Sequence, residues 1–255
     1  MSRPPFVAVD VRDTLARHGL DSFEALWALE VDAVDAPNIG RGGWSRVYRL
    51  ELEDANGRPQ TFYLKRQQNY LIRSWRYPLG EPTFARELRA IQTFARKGVS
   101  ALEAAFYDER QVESGRQAIL LTRALDEHRS LGAWFRRWHR LTKAQRINLI
   151  HAAAALVRSL HHSRIVHNCL YPKHIFLKLY DEGAGARLID LEKARYSLGL
   201  RERSRDLETL HRRSIAPSRT ERLRFLLAYL GKRQVDAEVR KIVRLVLRRH
   251  RRKGT

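Results

Sequence analysis

Several short stretches of this chain carry residue types suited to phosphate chemistry. NIGRGGWSRVYRL places Gly40, Gly42 and Ser45 in a Gly-x-Gly-x-x-Ser-x-Val pattern between two strand-like runs. Small residues there let backbone amides approach a phosphate chain without obstruction. A glycine-rich hairpin with no ligand would account for the same letters. Lys65 closes the apolar stretch TFYLK, where an ammonium pointing into a cleft neutralises bridging phosphate oxygens. Glu87 sits early in the next helical stretch, placed to pair with Lys65; its plain alternative is a solvated helix charge. His167 and His174 bracket the loop VHNCLYPKHIFL, which also holds the chain's only cysteine, Cys169. Asp190 follows Leu188-Ile189 at a strand end. An unpaired carboxylate on a buried strand is costly, so a metal ion or a tight hydrogen-bond network is expected around it. Taken in order, these residues spell phosphoryl transfer from ATP: a phosphate cradle, a lysine–glutamate pair, a loop beside the acceptor and an aspartate on Mg2+.

The elements that must position these residues read as strands first and helices later. Segments 44–52 and 58–67 alternate like strands, and Asp54-Ala55-Asn56-Gly57 between them is a hairpin turn. PTFARELRAIQTFARKG is an amphipathic helix with Phe84, Leu88, Ile91 and Phe94 or Ala95 on one face and Gly98 at its stop. Two more strands follow at 101–110 and 116–125. From about residue 128 the chain turns helical. SLGAWFRRWHRL is expected to form one helix, and the next opens on a Thr142…Gln145 capping box with Ile147, Ile150, Ala154, Val157 and Leu160 as its apolar stripe. The predicted fold class is α+β in two lobes: an N-terminal extension over 1–35, a β-rich lobe with one main helix over 36–125, and a helical lobe over 126–255.

The chain has 255 residues, enough for a substantial core, with 44% apolar and 30% charged residues and a net charge of +21. Such a field favours an anionic partner: nucleic acid, an anionic membrane surface or a phosphorylated glycolipid. A basic surface serving solubility alone is the bland alternative. One cysteine excludes an intrachain disulfide framework and CxxC metal sites. MSRPPFVAVDVRD has no apolar h-region, and no run approaches the ~20 residues of a spanning helix, so a cytoplasmic protein is expected.

The stretches FARELRAIQTFARKGV, VHNCLYPKHIFL, RLIDLEKAR and RDLETL resemble the protein-kinase-like fold, and within it the bacterial lipopolysaccharide kinases (the Kdo/WaaP family, InaA-like branch), from about Asn38 to His211. By this resemblance Gly40, Gly42 and Ser45 cover the nucleotide phosphates, Lys65 contacts them, and Glu87 orients Lys65. Asp190, in Asp190-Leu191-Glu192, takes the place of the magnesium-binding aspartate of Asp-Phe-Gly. His174 falls where protein kinases place the magnesium-binding asparagine, as in the lipopolysaccharide kinases, and Asp206 matches the aspartate that buttresses the catalytic loop. The resemblance implies an ATP- and Mg2+-dependent kinase of the lipopolysaccharide inner core (Kdo or heptose), with His167, Cys169 and Asp190 in the catalytic segment.

One departure stands out. Kinases read His-Arg-Asp where this chain reads His167-Asn168-Cys169. A thiol with a free pKa near ~8.5 is a poor proton-accepting carboxylate, so a pseudokinase or nucleotide-binding interaction module is the rival reading. No recognised nucleic-acid module accompanies the basic residues, and nucleic acid is not the expected partner. A zinc site from His161, His162, His167 and His174 lacks a familiar spacing. The Arg-rich end, residues 248–253, suits peripheral contact with anionic headgroups at the inner face of the inner membrane. Oligomeric state is not legible.

Overall fold

The computed structural model describes residues 4–197 and 199–251. The chain divides into two compact units, one built from 1–92 and 102–126, the other from 93–101 and 127–255.

The first unit opens with β1 (Phe6–Val7) and two short helices, α1 (Arg12–Arg17) and α2 (Phe23–Ala28). Then come β2 (Asn38–Gly40), β3 (Gly43–Glu53), β4 (Pro59–Gln68), β5 (Leu71–Ser74), β6 (Tyr77–Pro82), the helix α3 (Thr83–Arg96), whose residues 93–96 are counted with the other unit, β7 (Ala104–Val112) and β8 (Gly115–Arg123). Six strands form one antiparallel sheet in the order β1-β7-β8-β4-β3-β2, while β5 and β6 pair as a separate hairpin. The β3–β4 turn forms where expected: Gly57 has φ +71, and the Asp54 carboxylate accepts the Asn56 and Arg58 amides at 2.7 and 3.0 Å.

The helices α1 and α2 are not legible in the sequence, because six residues are too few to establish a helical period. Packing makes them. Val11, Leu15, Phe23 and Leu26 share one buried cluster with Leu50, Phe62, Leu64 and Leu121 of the sheet. The buried Arg66 guanidinium fastens the end of α2, donating to the Leu26 and Leu29 carbonyls at 2.9 and 2.5 Å and lying over the Tyr48 ring.

The second unit contains β9 (Arg129–Ser130), α4 (Leu131–Arg136), α5 (Lys143–His162), β10 (Ile165–Val166), β11 (Ile175–Leu179), β12 (Ala184–Leu188), β13 (Arg195–Tyr196), α6 (Leu200–Arg213), α7 (Arg219–Leu230) and α8 (Ala237–Arg251). The α5 capping box is present with both hydrogen bonds, and Ile150, Ala154, Val157 and Leu160 are buried. One expected element is corrected. SLGAWFRRWHRL is not a single helix: α4 stops at Arg136, and Trp138–Arg140 form a separate 3-10 turn. The break sends the two indoles to different partners. Trp134 donates to the Leu177 carbonyl at 3.1 Å, and the buried Trp138 donates to Glu221 at 3.3 Å. The basic helix α8 runs to Arg251, burying Val239, Ile242 and Val246; the tail residues 252–255 lie outside the described residues.

Candidate active site

In the first unit, β2 and β3 meet through a two-residue turn, Arg41-Gly42, with φ +54 and +81. Both positive values match the twist of a tight hairpin, and Gly42 adopts them without a steric cost. Gly43 is constrained by space: a Cβ there would stand 2.0 Å from the Gln68 carbonyl oxygen. Gly40 packs beside the Tyr70 ring, and Ser45 sits mid-sheet between Asn38 and Gln67. Lys65 on β4 pairs in register with Val47, and its Nζ lies 2.6 Å from Oε1 of Glu87 on α3. The pair is largely shielded, with side chains 17% and 8% exposed.

What sets that distance is Gln67, two residues on and therefore on the same face of β4 as Lys65. Its buried Oε1 accepts the Phe84 amide at 3.1 Å and the Thr83 hydroxyl at 2.7 Å, capping the first turn of α3. One strand thus holds the start of the helix and the carboxylate a turn later. Sequence reasoning missed both Gln67 and Gly43. The available signals were a polar residue on the inward face of a strand and the second glycine of a doublet.

In the second unit, the register Ile175↔Leu188 of β11 and β12 sets His174 beside Ile189, whose amide donates to the His174 carbonyl at 3.1 Å. His174 Nε2 consequently lies 3.1 Å from Asp190 Oδ2. The His174 Nδ1–H donates to the Cys169 carbonyl at 2.8 Å, which leaves Nε2 facing the carboxylate. Burial pulls the His174 pKa down, against the opposing pull of Asp190. With Nδ1–H engaged, Nε2 faces the carboxylate oxygen at 3.1 Å, a contact that calls for a shared proton or a cation.

Asp190 itself is not buried: its side chain is 43% exposed. The burial-cost reasoning for this residue therefore fails. Its mark is backbone conformation, φ 58 and ψ 59, a left-handed geometry that aspartate tolerates better than most residues. That kink turns the chain out of β12 into the 3-10 turn Leu191–Lys193.

The loop between is held by Asp206 of α6, which is 1% exposed. Its two oxygens accept the backbone amides of His167 at 2.7 Å and Asn168 at 2.9 Å. Asn168 adopts φ +62 and donates its side-chain amide to the Lys193 carbonyl at 2.9 Å. The His167 ring is fully buried, donates from Nε2 to the Ile189 carbonyl at 2.9 Å, and stacks on His174 with centroids 5.6 Å apart. Burial holds its pKa below the ordinary histidine range, so it stays neutral and acts as a packed peg for the loop. Cys169 is partly exposed, and burial, with Asp190, Asp206 and Glu192 nearby, pushes its thiol up against the counter-pull of Lys193. His161 is engaged elsewhere, between the Tyr229 hydroxyl at 2.8 Å and Asp206 at 3.3 Å. Among the described residues no three His, Cys, Asp or Glu side chains gather as a metal site.

His174 and Asp190 make a two-donor set. The Asp190 carboxylate is the kind of oxygen donor that magnesium takes, and the His174 imidazole beside it is a softer one.

Comparison with known proteins places the chain in a group. The profile of the lipopolysaccharide kinase (Kdo/WaaP) family matches residues 24–229. Protein InaA of Escherichia coli (strain K12) is 33% identical over 181 residues, covering 70% of this chain and 81% of InaA. A solved structure described as WaaP in complex with acyl carrier protein superposes with a TM-score of 0.71 at 21% identity, covering 98% of each chain. That likeness establishes the kinase-like fold.

Proposed function

Because this chain belongs to the lipopolysaccharide kinase (Kdo/WaaP) family, we propose that it transfers the γ-phosphoryl group of ATP to a hydroxyl of an inner-core sugar, Kdo or heptose. The bond from the γ-phosphorus to the bridging oxygen breaks, a bond to the sugar oxygen forms, the hydroxyl proton passes to solvent water, and ADP departs. The observation that carries this reading is the His174–Asp190 pair at 3.1 Å, with the histidine tautomer fixed by the Cys169 carbonyl. Those two residues would hold Mg2+, which would supply positive charge to offset that of the phosphates. Lys65, held by Glu87 at 2.6 Å, directs its ammonium at the phosphates, and the Gly40–Gly42 turn with Ser45 covers them. Asp206 keeps the loop backbone rigid so that the acceptor hydroxyl meets a fixed surface.

With its pKa raised, Cys169 remains a neutral thiol at physiological pH and does not take the acceptor proton. Phosphoryl transfer leans on positioning and electrostatics more than on a base, so turnover is expected to be slow. Cys169 also favours a second reading, a pseudokinase that binds nucleotide without turnover. One experiment separates them: incubate wild type, Asp190→Asn and Cys169→Asp with magnesium-ATP and core oligosaccharide. Wild-type transfer that Asp190→Asn abolishes supports the kinase. Equal background in both, with robust transfer only in Cys169→Asp, supports the pseudokinase.

For location we propose a cytoplasmic protein whose basic helix α8 and the tail beyond it touch anionic headgroups at the inner face of the membrane. No described helix is long and apolar enough to cross one. A partner is suggested by an apolar cavity of about 720 Å³ in the helical unit, lined by Leu131, Phe135, Ile150, Leu226 and Val246, with His211 and Arg222 among its polar residues. By analogy with WaaP, whose structure is described as a complex with acyl carrier protein, an acylated carrier would place its chain there. Acylated carrier should raise the melting temperature, and equal effects of bare and acylated carrier would defeat this assignment.

A further inference from the structure

The hairpin β5–β6 carries Trp75, 93% exposed, and Leu79, 90% exposed. Ser74 pairs with Tyr77, so Trp75-Arg76 is the two-residue tip, and an irregular register below it leaves Leu79 standing outward. The base of the hairpin is firmly built. Glu81 and Arg89 pair at 2.6 Å, the Arg89 guanidinium lies over the Tyr77 ring, and Arg116 donates to the Gly80 carbonyl at 3.4 Å. An indole so presented is a displayed side chain on a fixed support.

Charge tells what it is displayed to. Glu81 is the hairpin's acid, and it is buried and engaged by Arg89. Arg73 and Arg76 flank Trp75, and both are exposed. The tip is therefore indole, leucine and proline among guanidiniums, on a chain of net charge +21. A tryptophan buries at most roughly 250 Å², far below the roughly 800 Å² per partner of a stable protein interface. A lipid surface demands no such matching area. Indoles settle at the boundary between headgroups and acyl chains, and arginine stems reach the phosphates above them.

We propose that the β5–β6 tip is a lipid-contact site, with Trp75 and Leu79 entering the acyl boundary of an anionic bilayer and Arg73 and Arg76 on its phosphates. This site is separate from the basic tail. Lipid contact needs no nucleotide or turnover, so the inference stands or falls apart from the kinase reading.

The full chain is mixed with phosphatidylglycerol–phosphatidylethanolamine vesicles whose acyl chains carry bromine, which quenches indoles at the acyl boundary. Wild-type fluorescence should be quenched, and Trp75→Phe should remove most of that quenching while the other four tryptophans remain. In flotation, Trp75→Ala with Leu79→Ser should lower the bound fraction by roughly tenfold. Arg73→Gln and Arg76→Gln should each weaken anionic-vesicle binding about fivefold. Unchanged quenching in Trp75→Phe overturns the site even if the protein floats, because binding then runs through another surface. So does concentration-dependent dimerisation abolished by Trp75→Ala in a protein that ignores vesicles, which would make the tip a contact between copies.

Discussion

A thiol at position 169 alters the chemistry of the loop without altering its shape. Asp206 holds the loop through backbone amides, and His174 binds the Cys169 carbonyl, so neither contact depends on the side chain at 169. Substituting that side chain should leave the scaffold intact. The raised pKa means a smaller thiolate fraction at neutral pH, and thiolate is the reactive form. Alkylation of this single cysteine by iodoacetamide, followed by mass spectrometry, should be slower than for a free thiol at pH 7. It should accelerate to a midpoint above the ordinary thiol range, and an unshifted midpoint would contradict the assigned environment. Restoring the carboxylate by Cys169→Asp should raise transfer to the sugar by about 10²-fold or more, the usual scale of general-base help. At this scale the sequence already offered the reactive residues. It did not reveal that Asp190 is half exposed and held in left-handed backbone, because conformation at one residue is fixed by the strands on either side.

Among the elements, β4 and α3 carry Lys65 and Glu87, the pair proposed above to meet nucleotide. Gln67 joins them by satisfying a buried hydroxyl and an orphan helix amide. Gln67→Leu should cost about 1–3 kcal/mol in urea unfolding and raise the nucleotide KM, whereas the same change at the exposed Gln111 should do neither. On the helical side, Tyr229 of α7 donates to His161 of α5, which in turn reaches Asp206. Burial raises the Tyr229 pKa from 10.0 to about 12. The folded state thus keeps a proton that the unfolded chain loses first. Stability from this group is complete below pH 10 and lost as pH rises toward 12, at about 1.4 kcal/mol per unit. Melting temperature should fall steeply over that window, and Tyr229→Phe should flatten the fall while lowering stability at pH 8. The alternation and capping signals made β3, β4, α3 and α5 readable. The shorter α1, α2 and the broken α4 were not, because burial against distant residues decides them.

For the whole molecule, the excess of 49 Lys and Arg over 28 Asp and Glu sets a long-range field toward anionic partners. Exposed charges are screened beyond about 8 Å at physiological ionic strength. The KM for a phosphorylated core acceptor should therefore rise several-fold between ~0.05 and ~0.5 M salt with little change in kcat. A flat KM would place acceptor recognition in short-range contacts alone.

The sequence by itself determined the inventory: a glycine turn, a lysine, a glutamate, two loop histidines, a strand-end aspartate and a cysteine where a carboxylate belongs. It also determined the order of strands before helices, because alternation, helical period and caps are local signals. Only the tertiary structure decided which nitrogen of His174 faces Asp190, that Gln67 anchors the helix bearing Glu87, and that Trp75 stands uncovered at a rigid tip. Those outcomes depend on strand register, burial and hydrogen bonds between residues far apart in the chain, and no local pattern records such distances.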